Sequence, residues 1–362
     1  MTNQSNLQVA KEISSSPFGT LPDGTKVLAY TLTNKNGMKV KVLDYGAIIT
    51  ECWVPNNAGE LANVVLGFDN LDQYMGKHPR FGSTIGRYAN RIATAQFELD
   101  GVQYKLAANN GSNCIHGGII GFDKHMWQLV NSNADSHEQS ITLRYRSADM
   151  EEGFPGNLDL TLTVALTDKN TLRLTYKASS DKATPLNLTN HSYFNLNGAG
   201  NGNILQHHAK FHAESCTPLN ADSLPTGEIV SVTNTPYDFR HDTAIGANID
   251  KLDGGYDINY VVGQHSLIQP SGAKQAPSLL VAQVRSELSG RKLDIYTDQP
   301  GFQFFTANGL DGSIKGLGGS YEKYAGFCIE TQHFADSIHH DNFPNTILRP
   351  GEEFNSTTIY AF

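Results

Sequence analysis

Cysteine is the first thing this chain has little of. Cys52, Cys114, Cys216 and Cys328 are its four, scattered with no C-x-x-C pair, so the sequence fits neither a zinc ribbon nor a disulfide framework, and reduced thiols are expected. Positive charge is also scarce. A net charge of −9 with no run of Lys and Arg excludes a generic electrostatic grip on phosphate backbones, so nucleic acid is not an expected partner. No segment approaches the length of a membrane span, and Met1 to Leu7 lacks a basic stretch leading into an apolar one, so a soluble, cytoplasmic protein is expected, with no membrane partner. No long window carries helical periodicity, so helix is expected to be scarce, and the lack of a fixed-period repeat removes support for a propeller or a solenoid.

Motifs for several chemistries are absent as well. There is no G-x-S-x-G elbow to expose a serine nucleophile, no G-x-G-x-x-G and no phosphate loop, and the glycines of Gly198 to Gly202 and of Gly309 to Gly319 read as loops. Thirteen histidines invite a metal, but no H-E-x-x-H or Cys-His spacing occurs. The pairs His207-His208 and His339-His340 are discounted because neighbours in a strand point to opposite faces. No metal is expected.

What is present is alternation. With 39% hydrophobic and 17% charged residues the chain can bury a large core. Leu158, Leu160, Leu162, Val164 and Leu166 alternate with polar or small residues, then Asp168-Lys169-Asn170 turns the chain into a second alternating run at Leu172, Leu174 and Tyr176. Phe97 and Leu99 lead to an Asp100-Gly101 turn, with Val102, Tyr104 and Leu106 returning, and further strands are predicted at Lys39 to Leu43, Ile141 to Arg146 and Lys292 to Thr297. Loops are expected at Gly198 to Asn203, Gln269 to Ser278 and Asn308 to Ser320, none long or charged enough to be an interdomain linker. The fold class is therefore mainly β, a large antiparallel β-sandwich of two extended sheets in one domain over residues 1–362.

Dense functional groups interrupt that pattern in five places: Gly86 to Arg91, Asn113 to Gly118, Asn187 to Leu196, Pro300 to Gln303, and Glu330 to Gln332. The third is the richest, because Asn187-Leu188-Thr189-Asn190-His191-Ser192-Tyr193-Phe194-Asn195-Leu196 combines amides, hydroxyls, an imidazole and aromatic rings. Amides and hydroxyls both donate and accept hydrogen bonds, an aromatic ring covers the apolar face of a pyranose, and a histidine exchanges protons near neutrality. Acid-base chemistry needs a second titratable group. Glu330 follows the apolar run Phe327-Cys328-Ile329, so it is presented at the end of a partly buried strand where burial would raise its pKa; paired with Arg91 or Arg87 it would be a structural ion pair with the opposite shift.

Together Gly86-Arg87-Tyr88-Ala89-Asn90-Arg91-Ile92, His116-Gly117-Gly118, Asn187 to Leu196, Pro300-Gly301-x-Gln303 and Glu330-Thr331-Gln332 closely resemble, in order and spacing, the aldose 1-epimerases or galactose mutarotases. The likeness runs from about Phe18 to Pro350-Gly351-Glu352. It implies a galactose mutarotase-like supersandwich that interconverts the α and β anomers of free aldohexoses such as galactose and glucose, with no cofactor. Carried over by motif, Glu330 is the general base at the anomeric hydroxyl and His191 the acid at the ring oxygen. Asn90, Arg91, His116, Asp257 and Gln303 are implied to bind the sugar, while Asn187, Asn190 and Asn195 become amides that hold the imidazole. Glu near ~4.3 is then expected to be ionised, and His near ~6.5 to be kept protonated by the carboxylate.

The chain departs from the family's pattern in places. Asp257, in Gly255-Tyr256-Asp257-Ile258-Asn259-Tyr260, lacks the histidine that more often follows it, and Ile115, Phe305, Ala307 and Ala335 stand where Leu, Tyr, Gly and Pro are usual. Loss of the hydroxyl at Phe305 bears on which sugar is preferred. The expected partner is a small-molecule sugar, and the expected assembly a monomer or homodimer. The alternatives are a hexose-6-phosphate 1-epimerase, which needs extra Arg or Lys aimed at a phosphate, and a non-catalytic carbohydrate-binding β-sandwich, which needs no acid and base. Glycoside hydrolysis ordinarily needs two flanking carboxylates, and one is well placed.

Overall fold

A computed structural model of the protein describes residues 13–262 and 278–362. The alternating runs do become strands. Leu158–Thr167 and Thr171–Ser180 pair antiparallel from Leu158↔Ser180 to Leu166↔Leu172, joined through Asp168, Lys169 and Asn170, with Asn170 at a left-handed φ of 56°. Gln96–Leu99 and Val102–Lys105 form the second hairpin, and its turn residues Asp100 and Gly101 both have positive φ, as a two-residue turn that follows strand twist requires. Lys39–Leu43 and Lys292–Thr297 are strands as expected, and Ile141 to Arg146 lies within Glu138–Ser147. Among the described residues the α-helix is confined to Leu71–Met75, capped by the Asn70 side chain on the Gln73 N–H, beside a few 3₁₀ turns. The expected loop at Gln269 to Ser278 lies outside the described residues except for its last position, and the loop from Asn308 to Ser320 contains a two-residue hairpin, Lys315–Gly316 with Gly319–Ser320.

The sheets are organised less simply than two extended layers. One sheet has nine strands in the order Gln128–Ala134, Glu138–Ser147, Leu158–Thr167, Thr171–Ser180, Phe354–Ala361, Lys292–Thr297, Leu279–Arg285, His208–Phe211 and Thr243–Ala244. The facing layer is split in two. Its first sheet runs in chain order from Ser14–Thr20 to Leu61–Asn63, and its second has the order Val230–Ser231, Ser215–Thr217, Asp257–Val261, Gly301–Phe305 and Cys328–Gln332. A shared core joins all three, with Val40 and Val42 from the first small sheet, Ile258, Phe302, Phe304 and Ile329 from the second, and Leu160, Leu162, Leu174 and Ile295 from the long one. Each such buried side chain contributes roughly 1.5–3 kcal/mol.

Asn187 to Leu196 is the seam between the two small sheets. Phe194 exchanges backbone hydrogen bonds with Phe327 on one side, at 2.7 and 2.9 Å, while on the other Leu66 N–H donates to the Tyr193 carbonyl and Asn195 N–H to that of Val64. Further back, Thr189–Asn190 pairs with Thr84–Ile85, and Asn187 lies parallel to Tyr88. Its amides carry much of this stitching. Asn187 Nδ2 donates to the Ala89 and His333 carbonyls, Asn190 Nδ2 to that of Gly82, and Asn195 Nδ2 to those of Gly202 and Ala325.

Candidate active site

Strand alternation decides which side chains meet. In Cys328–Gln332, Ile329 enters the shared core and Thr331 reaches Thr358 of the long sheet, so Cys328, Glu330 and Gln332 occupy the opposite, outer face. Gly301–Phe305 behaves alike: Phe302 and Phe304 point inward, and Gln303, directly paired with Glu330, points outward with Phe305. From the next strand Asp257 joins them, its Oδ1 accepting from Gln303 Nε2 at 2.6 Å. The seam then lays His191 across this face, with its Nε2 3.6 Å from Glu330 Oε1.

The remaining residues arrive on the Gly86 to Arg91 segment and the His116 loop. Arg91 pairs with Ile115, and His116 N–H donates to the Asn90 carbonyl at 3.0 Å. The loop comes this close because of Gly117, where an added Cβ would lie 2.0 Å from the Gly86 carbonyl oxygen. In return Asn90 N–H donates to His116 Nδ1 at 3.2 Å, which fixes the neutral ring with its proton on Nε2. The His116 and His191 rings meet edge to face at 5.2 Å, while Tyr193 stacks on His191 at 5.0 Å and 11°. Arg91 Nε donates to Asn110 Oδ1 at 2.9 Å, and its charge pulls downward on both Glu330 and Asp257.

His191, Glu330, His116, Asn90 and Gln303 are buried, and Arg91 and Asp257 are partly exposed. Burial corrects the expected charge states. It pushes His191 down to about 3, with the nearby Arg80 cation pushing the same way, so this imidazole is neutral near pH 7 and not held protonated by its carboxylate. Burial, aided by Asp257, pushes Glu330 well above the usual carboxylate range, and Arg91 and Arg80 offset part of that. Glu330 is therefore governed by desolvation and not by an ion pair. Its Oε2 is buried without a hydrogen-bond partner among the described residues, as are both amide atoms of Gln332. Arg87 stands apart from this group: its guanidinium donates to the Pro155, Gly156 and Ala148 carbonyls and to the Ser147 and Thr184 hydroxyls, so it is a scaffold residue.

Metal-type donors do converge here, though not at the adjacent histidines. One ligand atom each from His116, His191 and Glu330 lies within 4.8 Å of the others, and His191 Nε2 is 3.6 Å from Glu330 Oε1. The proton on His116 Nε2 sets this trio against an ion. His207 is buried and accepts the Leu196 N–H, and His208 meets Asp242. The argument from opposite strand faces does not hold for His339 and His340, which sit on and just beyond a 3₁₀ turn and both reach Asp336, at 2.6 and 3.6 Å. The four cysteines are buried free thiols.

Residues 28–361 match the sequence profile of the family described as Aldose 1-epimerase. The chain belongs to that family. It is 41% identical to the galactose mutarotase of Sus scrofa over 353 residues, 97% of this chain and 98% of that protein. It is 34% identical to the aldose 1-epimerase of Escherichia coli K12, covering 94% and 96%. Among solved structures, the galactose 1-epimerase of Lactobacillus acidophilus superposes with a TM-score of 0.80 at 26% identity, covering 96% of this chain and 98% of that one. An aldose epimerase homologue from C. elegans gives 0.80 at 27% identity, covering 92% and 98%. The family's mainly antiparallel sandwich is thus the fold of this chain.

Three residues of the site were not singled out from sequence: Cys328, whose sulfur lies 3.5 Å from His191 Nδ1; Tyr193, which stacks on that ring; and Arg80, whose charge acts on both histidines. Cys328 had a readable signal, because two residues before Glu330 in a strand means the same face. Tyr193 had the same relation to His191. Arg80 had none, since it is brought in by a left-handed turn at φ 62°.

Proposed function

We propose that Glu330 and His191 interconvert the α and β anomers of free aldohexoses, galactose and glucose being the expected substrates. Membership of the aldose 1-epimerase family makes the chain an isomerase acting on carbohydrates, and no cofactor enters the proposed steps. The observation that carries the residue assignment is the 3.6 Å approach of Glu330 Oε1 to His191 Nε2 on the outer face of the seam, with Glu330 Oε2 left without a hydrogen-bond partner among the described residues.

Because burial drives both groups towards neutrality, the pair holds one proton near pH 7 in either of two arrangements. One is the Glu330 acid with neutral His191, and the other is the carboxylate with the imidazolium. In the second, Glu330 accepts the O1 proton, His191 Nε2 donates its proton to the ring oxygen, the C1–O5 bond breaks and C1=O1 forms. That step returns the pair to its neutral arrangement, so desolvation favours both proton transfers. Rotation about C1–C2 turns the other carbonyl face towards O5, and closure reverses the transfers. His116, with its proton on Nε2, donates a hydrogen bond to the sugar, Arg91 and Asn90 bind hydroxyls, and Gln303 and Asp257 do so as a coupled pair. The core cluster draws on residues from Tyr30 to Tyr360, which supports reading the chain as a single domain.

Among the described residues no helix is long and apolar enough to cross a membrane, and we read the protein as cytoplasmic, a monomer or homodimer without membrane or nucleic-acid partners. Polarimetry on freshly dissolved α-D-glucose and α-D-galactose tests the function: the protein accelerates the approach to anomeric equilibrium, and unchanged mutarotation with folded protein overturns it. Glucose 6-phosphate in the same assay separates the phosphosugar alternative, which predicts the faster rate with the phosphorylated sugar.

A further inference from the structure

The strand that delivers Glu330 also delivers Cys328 to the same face, and the two side chains sit at opposite nitrogens of one ring. Glu330 Oε1 is 3.6 Å from His191 Nε2, and Cys328 Sγ is 3.5 Å from His191 Nδ1, within reach of a sulfur hydrogen bond. Both partners are buried and ordered by neighbours: Tyr193 stacks flat on the imidazole, its hydroxyl donating to the Pro79 carbonyl, and His116 meets the ring edge-on. The His191 carbonyl accepts the Gly82 N–H at 3.0 Å and keeps a second lone pair, so it is the competing acceptor for the ring on the same residue.

We infer that Cys328 is a positioning residue, whose sulfur accepts the Nδ1–H of His191 and so holds the neutral ring in the tautomer that turns a bare Nε2 towards Glu330 and the sugar. This rests on the proposed roles of Glu330 and His191. Throughout the cycle Nδ1 keeps its proton while Nε2 alone gains and loses one, so Nδ1 needs an acceptor in every state. The opposite tautomer, with the neutral proton on Nε2, is a dead end, because it can accept a proton neither from Glu330 nor from the ring hydroxyl at closure. Burial keeps the thiol itself protonated, so the sulfur acts through its lone pairs and carries no charge. The two histidines are then set in opposite ways, His116 as a fixed Nε2–H donor by the Asn90 amide and His191 as an Nε2 acceptor by Cys328.

The test combines Cys328→Ala and Cys328→Ser with ¹⁵N spectra of histidine-labelled protein, the His191 signals being assigned by their loss in His191→Asn. In the unsubstituted protein near pH 7, His191 Nδ1 should show the shift of a protonated pyrrole-type nitrogen and Nε2 that of an unprotonated one. Cys328→Ala should mix the tautomers and lower kcat roughly 10–100-fold, the range found for partners that fix the tautomer of metal-bound imidazoles, with KM unchanged. Cys328→Ser, which restores an acceptor, should recover most of the loss. An Nε2–H tautomer in the unsubstituted protein, or a Cys328→Ala enzyme with unchanged kcat, overturns the inference. The spectra report the tautomer whether or not sugars turn over, so failure of the epimerase reading is seen separately, as absent mutarotation by the unsubstituted protein.

Discussion

Glu330→Gln isolates the proton-accepting step proposed for Glu330. Glutamine has the shape of the carboxyl group it replaces, and because burial already holds Glu330 well above the usual carboxylate range, no ionic partner is stranded by the change. Its amide occupies the same place, 3.6 Å from His191 Nε2 in the unsubstituted protein, so the imidazole keeps its packing. Folding stability should accordingly fall by no more than about 1 kcal/mol, the centre of the range for single substitutions, since the change creates neither a cavity nor an unpaired charge. The amide cannot take the O1 proton, however, and a positioned base contributes about 10²–10⁴-fold, or roughly 3–5 kcal/mol of barrier. Polarimetry across a range of sugar concentrations should therefore show kcat falling by about that factor with KM within a few-fold, since the proposed sugar ligands Asn90, Arg91 and His116 are untouched. Thermal unfolding checks that the protein is intact. A folded Glu330→Gln enzyme that keeps more than a tenth of kcat, or that loses only affinity, refutes the assignment.

Other expectations follow from the same geometry. Because burial holds His191 at about 3, kcat should show no acid limb near pH 6.5, and a rate halved near that pH would refute the neutral resting pair. EDTA dialysis should leave mutarotation unchanged, because the Asn90 amide places a proton on the His116 nitrogen a metal would need; loss of rate restored by added Zn²⁺ would refute it. Arg87→Met should destabilise the fold by about 3 kcal/mol or more in urea melts, since it strands several carbonyls and hydroxyls, and a change under about 1 kcal/mol would show that they find other partners. Asp44 is raised to about 6 by burial, so the unfolded chain loses its proton first and the stability this group contributes is present below the unfolded value of 3.8 and lost as pH rises through 6. Asp44→Asn, whose Oδ1 can keep accepting the Leu28 N–H, should then raise Tm at pH 7.5 but not at pH 3.5.

Local features of the fold were legible and long-range ones were not. The runs at Leu158 to Tyr176 and the Asp100-Gly101 turn declare themselves, because strand period and turn conformation are set by neighbouring residues. That the layer facing the nine-stranded sheet is two sheets and not one depends on pairings such as Phe194 with Phe327, which no local pattern encodes. The site divides in the same way. His191 and Glu330 stand out by residue type and motif, and the apolar run before Glu330 signalled that burial raises its pKa, but the neutral state of His191 was not legible, since the expectation of an ionised pair rested on proximity and the structure makes burial the larger effect. Arg87 and Arg91 lie in one motif and look alike in sequence. Their fates differ because Arg87 is enclosed by carbonyls from 148 to 156, some sixty residues on, whereas Arg91 stays at the partly exposed edge.

The distance that matters most, between Glu330 and His191, is controlled by groups with no chemistry of their own. Glu330 sits on the outermost strand of its small sheet, and the register of that strand against the seam is carried by the two Phe194–Phe327 hydrogen bonds. The seam in turn is fixed to the opposite small sheet through Leu66 and Asn195, and to the Gly82 to Tyr88 segment through His191 N–H on the Ser83 carbonyl and Asn190 Nδ2 on that of Gly82. A one-residue slip at Phe194 would invert every seam side chain and carry the imidazole to the core face. Asn195 guards against that, since its Nδ2 reaches Ala325 while its backbone N–H reaches Val64. Asn195→Leu should therefore behave unlike either Glu330→Gln or His191→Asn: it leaves two carbonyls without a donor, lowers Tm, and loosens the approach of His191 to Glu330. The expected signature is a fall in kcat that grows with temperature below Tm, as the seam opens locally, while the substitutions at the reacting groups lower kcat by a factor nearly independent of temperature. Parallel temperature profiles for all three variants would show that the seam does not set the distance.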